Sequence, residues 1–220
     1  MPPLIRYGVQ KEFNVVDLIK AGGWLMVPIL ACSLAAATLI VERLLALRRA
    51  RVLPEQLIVI LHRWTERGAV HPADINKLPL NSPLGRIVAA GLASRHRHRT
   101  LLRERIEDVG RHVVHELERF LSTLGTIASI SPLLGLLGTV TGMIKVFEVV
   151  AVQGNSNFSL LSTGIAEALV TTAAGLTVAI PSLLFYRYFQ RRIDELVIEI
   201  EQETLELIDL LDTEKAERPA

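Results

Sequence analysis

The chain has 220 residues, of which half are hydrophobic, and its formal net charge is +1. A mean hydropathy of +0.37 is higher than a soluble domain usually shows. The single cysteine, Cys32, excludes an intramolecular disulfide. No Gly-rich phosphate loop, metal-spaced His/Cys cluster or nucleophile elbow is visible, so we expect neither an enzyme nor a cofactor or metal site.

Residues 1–20 carry five charges before the first apolar block begins. That block is about twice the length of a signal-peptide core and is followed by Glu42 and Arg43, so we do not expect cleavage there. The segment instead predicts an amphipathic helix at the membrane interface.

Three long uncharged or nearly uncharged blocks follow, and together they predict three transmembrane helices. They are 21–41, 120–144 and the run from Val149 to Tyr186, in which Glu167 is the single charge. Each is long enough to cross about 30 Å of hydrocarbon as helix, and none shows the alternation of a barrel strand.

The positions of the cations predict the orientation. Fifteen of the 24 Lys and Arg residues lie between Arg43 and Arg119, and five more lie at or after Arg187. The positive-inside rule places these regions in the cytoplasm and the N-terminus outside. Because topology accounts for the arginines, we do not expect nucleic-acid binding.

Helical spacing of apolar residues predicts that the second and third spans extend into the cytoplasm. One helix is expected from about 100 to 150 without a break, and a heptad-like stripe follows Arg187. We expect these stripes to pack against further copies of the chain and expect no separate soluble domain.

Small residues recur at three- and four-residue steps along both later spans. Such stripes allow close helix packing in lipid, and they also leave room for a pore. The residues that we single out for one or both roles are Gly135, Gly142, Gly164, Ala168, Gly175 and Ala179.

Glu167 is the strongest functional candidate, because an intramembrane acid costs at least about 2.5–3.5 kcal/mol at a helix centre. Counting outward from a turn at 155–156 places Thr139 and Thr172 at one depth and Lys145 close to the depth of Glu167. A proton pathway through Glu167, Thr139 and Thr172 is one interpretation. A Lys145–Glu167 ion pair with a purely structural role is the other.

The stretches SPLLGLLGTVTGMIKVF (131–147) and GIAEALVTTAAGLTVAIPSLLFY (164–186) resemble the ExbB/TolQ/MotA family of proton-channel subunits. Three spans with an outside N-terminus resemble its ExbB and TolQ members. By motif position, Glu167 matches the family's intramembrane glutamate, and Thr139 and Thr172 match its pore threonines. Lys145 is not a residue to which the resemblance assigns a role.

The resemblance implies an all-α pentamer of long helices around a central pore in the bacterial inner membrane. The pore would hold single-span ExbD/TolR-type subunits with a membrane aspartate, and work would pass to a TonB- or TolA-type protein. An ExbB-like function in TonB-dependent transport is expected. The alternatives are a TolQ-like subunit of the Tol-Pal system and a non-conducting membrane scaffold; a transporter of other cargo is disfavoured because no inverted repeat is visible.

The expected organisation assigns each stretch of the chain to one side of the bilayer or to a span. It comprises a periplasmic segment (1–20), the first span (21–43), a cytoplasmic helical region (44–119), the second span (120–152), a periplasmic turn (153–160), the third span (161–187) and a cytoplasmic helix and tail (188–220).

Overall fold

The computed structural model describes residues 22–71, 75, 78–79, 81–95, 98–153 and 158–217. The predicted interfacial segment and the centre of the turn at 154–157 lie outside these residues. Regular structure in the described part is helical, and its seven helices are α1 (Met26–Ala46), α2 (Arg49–Val52), α3 (Glu55–Arg67), α4 (Pro83–Ser94), α5 (Arg99–Leu117), α6 (Leu121–Gln153) and α7 (Phe158–Glu217).

Three of the described helical stretches are long and apolar enough to cross a membrane, and their apolar portions lie in α1, α6 and α7. This confirms the predicted all-helical class with three candidate spans. The last of these, α7, is continuous for 60 residues even though it contains Pro181. At 1.5 Å per residue it is about 90 Å long, which greatly exceeds a bilayer core.

The continuous helix expected from about 100 to 150 was wrong, because the chain breaks it between Leu117 and Leu121. Phe120 has a φ of 64°, in the left-handed region that an aromatic residue rarely adopts. The Leu121 N–H donates to the Glu118 carbonyl at 3.0 Å, not to that of Leu117. The Leu117 carbonyl instead accepts a hydrogen bond from Arg43 Nη1 at 3.0 Å.

The break is also held by charge and ring contacts. The guanidinium groups of Arg43 and Arg119 lie 5.4 and 4.5 Å from the centroid of the Phe120 ring, a cation–π arrangement. The Arg43 side chain is only 6% exposed, and Glu42 neutralises it at 2.6 Å. A buried arginine thus replaces the helical hydrogen bond that the break removes.

Two compact units divide the chain. The span unit comprises residues up to Ala36 together with 126–182. Its buried residues are mostly small or hydroxylated, and large apolar side chains such as Val27, Leu133 and Leu169 are more than 60% exposed. An exposed leucine surface on a helix that can cross a membrane is available to lipid chains or to further copies of the chain.

The helical unit comprises residues 37–125 and 183–220. Its core consists of large apolar side chains that are almost fully buried, among them Trp64, Leu84, Phe189 and Leu196. The sequence patterns did not predict this second compact core. The short helices α2, α3 and α4 contribute apolar faces to this core. In the sequence each of them is too short to indicate a core by itself.

Candidate functional site

Glu167 lies on α7 within the span unit, and Lys145 of α6 approaches it directly. Lys145 Nζ donates a hydrogen bond to Glu167 Oε1 at 2.6 Å. The Glu167 side chain is 18% exposed and that of Lys145 is 50% exposed. The carboxylate is therefore largely shielded, whereas its cationic partner has access to the surface.

The beginning of the first candidate span packs against the same carboxylate. Gly23 has a φ of +68°, and a Cβ built on it would overlap Glu167 Oε1. Only glycine combines that backbone conformation with that close approach at little cost. Gly23 therefore forms one wall of the Glu167 site.

Thr171 ties this wall to α7. Its side chain is buried, and its hydroxyl lies 3.0 Å from the Gly22 carbonyl and 2.6 Å from the Glu167 carbonyl. A hydroxyl has one proton, so the two acceptors share one donor. The site thus draws on three separate stretches of the chain, which are the Gly22–Gly23 turn, α6 and α7.

The two threonines predicted for the proton pathway have different surroundings. Thr172 donates to the Gly135 carbonyl on the facing helix at 2.8 Å. Thr139 donates to the Leu136 carbonyl of its own helix at 2.7 Å. Both are half-buried. Thr172 therefore joins α6 and α7 at the level of Gly135, one helical turn from Thr139.

The small residues singled out from the sequence bring the two helices into backbone contact. A Cβ on Gly135 would lie 3.0 Å from Thr172 Cα, and one on Gly175 would lie 2.6 Å from the Ser131 carbonyl oxygen. Gly142 faces Ala168 and Gly164 in the same way. Ala168 and Ala179 are both buried. Within the chain the four glycines and Ala168 pack α6 against α7.

Gly22, Gly23 and Thr171 are site residues that sequence reasoning missed. Thr171 adjoins Thr172, and the Gly22-Gly23 pair immediately precedes an apolar run, so both had a weak local signal. Their role depends on a contact across 149 residues, which no local pattern reveals.

A second group of ionisable residues lies in the helical unit. His62 Nε2 of α3 is 3.6 Å from Glu203 Oε1 and 3.7 Å from Glu206 Oε2 of α7. Burial raises the pKa of the Glu203 carboxyl above its ordinary value, and the nearby His62 opposes that effect. These three residues have ligand atoms close enough together to hold a metal ion. Sequence spacing did not indicate this, because the ligands come from two distant helices.

The arrangement around Glu167 combines an acid, a half-exposed cation and one shared hydroxyl donor inside apolar helices. A carboxylate has two oxygens that accept hydrogen bonds, and the Lys145 ammonium engages one of them, Glu167 Oε1. Polar groups of this kind within a membrane span mark ion or proton pathways, or buried ion pairs. The site therefore places a paired carboxylate inside a helix that is long and apolar enough to cross a membrane.

The model of the MotA/TolQ/ExbB proton channel family matches residues 80–202, and the chain belongs to this family. The match includes Glu167, Lys145 and the three threonines described above. The family assignment confirms the resemblance that the two sequence stretches indicated.

The relatives include proteins named ExbB-like or ExbB homolog and a protein named TolQ. A putative biopolymer transport protein ExbB-like 3 from Synechocystis sp. is 36% identical over 77% of this chain and 82% of its own length. A putative ExbB homolog from Methanothermobacter thermautotrophicus is 30% identical over 86% of this chain and 67% of its own. The Tol-Pal system protein TolQ from Haemophilus influenzae is 36% identical over 44% of this chain and 40% of its own.

Proposed function

We propose that this chain is the proton-channel subunit of an inner-membrane motor complex that couples the proton motive force to work at the outer membrane. In this proposal it is ExbB-like and energises TonB-dependent transport. The observation that carries the proposal is Glu167, a shielded carboxylate inside an apolar helix of a proton-channel family member, in direct contact with a cation.

The contacts around Glu167 support a two-state role for the carboxylate. In the first state Lys145 neutralises Oε1 at 2.6 Å. In the second state a proton on the carboxyl neutralises it, and the ammonium moves outward on its flexible stem. Because the Lys145 side chain is already half exposed, this exchange requires little rearrangement. Thr139 and Thr172 supply hydroxyls to the hydrated path.

The proposed assembly is the one that the family resemblance implies. Five copies surround a pore that holds the single-span helices of an ExbD/TolR-type subunit, and the membrane aspartate of that subunit performs the principal proton relay. The N-terminus is periplasmic, the C-terminus is cytoplasmic, and a TonB- or TolA-type protein receives the work. In each copy of the chain, Glu167 then gates or orients the proton path.

Proton flux into proteoliposomes containing this chain and its single-span partner tests the proposal. We expect Glu167→Gln to lower flux about tenfold or more, because the variant can neither titrate nor hold Lys145 by charge. Glu148→Gln is the matched control, since Glu148 is an exposed carboxylate of α6 near Lys145 in sequence. Full flux from an assembled Glu167→Gln complex would rule out the channel role.

A TolQ-like function is the second candidate, favoured by the similarity to the Haemophilus influenzae protein. Deleting the gene distinguishes the two branches. Loss of energy-dependent uptake with an intact envelope supports the ExbB-like branch. Detergent sensitivity of the envelope with normal uptake supports the TolQ-like branch.

The scaffold alternative draws on the ion pair itself, because Lys145 and Glu167 are in direct contact. A charge exchange, Lys145→Glu with Glu167→Lys, separates the roles. A scaffold retains assembly and function when the pair is reversed. A proton path loses flux, because the carboxylate has moved to the other helix.

A further inference from the structure

A polar cavity of about 460 Å³ lies within the helical unit, where α1 and α5 both end. This volume is typical of a small-molecule site. Charged side chains dominate its wall, with four arginines and two glutamates: Glu42, Arg43, Arg51, Arg86, Glu116 and Arg119.

The charges in this wall do not balance. Glu42 pairs with Arg43 at 2.6 Å, and Glu116 pairs with Arg86. Arg51 and Arg119 then supply two further positive charges to the same cavity. A wall with a surplus of two guanidinium groups attracts an anion of one or two charges, and guanidinium geometry matches phosphate oxygens.

Part of the wall is preorganised and desolvated. The Arg43 side chain is only 6% exposed and is fixed by Glu42 and by the Leu117 carbonyl. Among the residues that the structure describes, Arg86 Nε is a buried donor without a hydrogen-bond partner. A buried N–H group that lacks an acceptor is unfavourable, and an oxygen of a bound anion beside Arg86 would provide that acceptor.

The cavity also adjoins two of the candidate spans. Glu42 and Arg43 lie in the last turns of α1, and Arg119 lies two residues before α6 begins. Leu44, Leu45 and Phe120, which neighbour these residues in sequence, are 40%, 46% and 37% exposed. Charged groups that flank exposed apolar ones at the end of a span lie at the level of the lipid headgroups.

We propose that this cavity binds the phosphate group of an anionic phospholipid, with the acyl chains against the exposed leucines. Basic pockets at the cytoplasmic ends of spans recognise such headgroups. Arg51 and Arg119 hold the phosphate, and the paired Arg43 and Arg86 shape the wall. The inference rests on α1 and α6 crossing the bilayer and is independent of proton conduction.

Native mass spectrometry of the detergent-solubilised full chain with phosphatidylglycerol or phosphatidylcholine tests the proposal. We expect the wild-type chain to retain phosphatidylglycerol in preference to phosphatidylcholine. Arg51→Gln with Arg119→Gln should lower the phosphatidylglycerol-bound fraction about tenfold, since each arginine provides charge-assisted hydrogen bonds. If the double variant unfolds, Arg51→Gln alone provides the test, because the Arg51 side chain is exposed and its replacement should not disturb the fold.

The matched control is Arg187→Gln with Arg191→Gln. It removes the same charge from two exposed arginines outside the cavity, just beyond the apolar part of α7. We expect its lipid binding to stay within about twofold of wild type, because exposed charges are screened. An equal loss in both double variants would mean general surface attraction and would overturn the proposal.

Inorganic phosphate distinguishes the two sources of the anion. We expect millimolar phosphate neither to displace phosphatidylglycerol nor to raise the unfolding temperature. Displacement, together with thermal stabilisation that Arg51→Gln abolishes, would make free phosphate the ligand and overturn the lipid proposal. Equal retention of phosphatidylglycerol and phosphatidylcholine would overturn it as well.

Discussion

The span unit and the helical unit bury opposite kinds of residue. The span unit places glycines and hydroxyls inside and leucines outside, whereas the helical unit buries Trp64, Leu84 and Phe189 and presents ion pairs on its surface. In lipid the hydrophobic effect does not drive helices together, so close backbone approach and hydrogen bonds must do so. In water, the burial of apolar surface is the main driving force for folding. The contrast fits a span unit suited to lipid and a helical core of the kind that apolar burial in water produces.

The largest expected effect is in the helical unit. Trp64→Ala removes a fully buried side chain, and we expect it to destabilise the protein by about 3–5 kcal/mol. Leu136→Ala is the control from the span unit, because that side chain is 58% exposed. In detergent its effect should stay within about 0.5 kcal/mol. Equal losses in denaturant unfolding would break the comparison.

A single added methyl group tests the glycine packing of the span unit. Gly175→Ala places Cβ about 2.6 Å from the Ser131 carbonyl oxygen, so the helices must separate. We expect a loss of about 1–3 kcal/mol. Gly110→Ala is the control in the helical unit, where a Cβ meets nothing within 4 Å. Helix propensity should stabilise the Gly110→Ala variant by about 1 kcal/mol. The unfolding temperature should therefore rise in Gly110→Ala and fall in Gly175→Ala.

Two effects of replacing Gly23, the strain of a positive φ and the contact with Glu167, can be measured separately. Gly23→Ala and Gly68→Ala both place alanine at a positive φ, of +68° and +66°, which costs about 1–2 kcal/mol each. At Gly68 nothing lies within 4 Å, whereas at Gly23 the new Cβ displaces the Glu167 carboxylate. Both variants should therefore lose stability, whereas only Gly23→Ala should lower proton flux. Unchanged flux in an assembled Gly23→Ala complex would show that this wall does not position Glu167.

The smallest effect concerns Glu203 in the helical unit. Its pKa is raised in the folded state by burial, so folding favours the protonated form. That contribution to stability is present below the unfolded pKa of about 4.5 and is lost as pH rises through the folded value. Glu203→Gln should thus unfold roughly 1–3 °C above wild type at pH 7.5, with the difference shrinking toward pH 4.

The control for this prediction is Glu201→Gln, which alters an exposed carboxylate of the same helix. Its unfolding temperature should follow that of wild type across the pH range. If both variants show the same pH dependence, the shift reflects net charge and not the burial of Glu203.

Features that depend on local periodicity were accessible from the sequence. The three apolar helices follow from block length, and the proximity of Lys145 to Glu167 follows from counting across a turn that separates them by 22 residues. An antiparallel helix pair fixes depth to within about one turn, which is enough to bring two long side chains together.

Features that depend on distant contacts were not accessible. The break at Phe120 needs Arg43, which is 74 residues from Leu117, because that arginine takes over a helical carbonyl. Leucines and valines keep helical spacing through this region, so periodicity predicted one helix. The core around Trp64 was missed for a related reason, since each short helix satisfies its apolar face only against the others.

The assembly of the Glu167 site from three stretches of the chain sets the order in which its parts are synthesised. The Gly22–Gly23 turn emerges first, Lys145 follows, and Glu167 and Thr171 come last. When the acid enters the bilayer, its cation and its glycine wall have already been made. Chain order thus ensures that both the cation and the glycine wall are already in the nascent chain before Glu167, whose unpaired charge would be costly in lipid, is added.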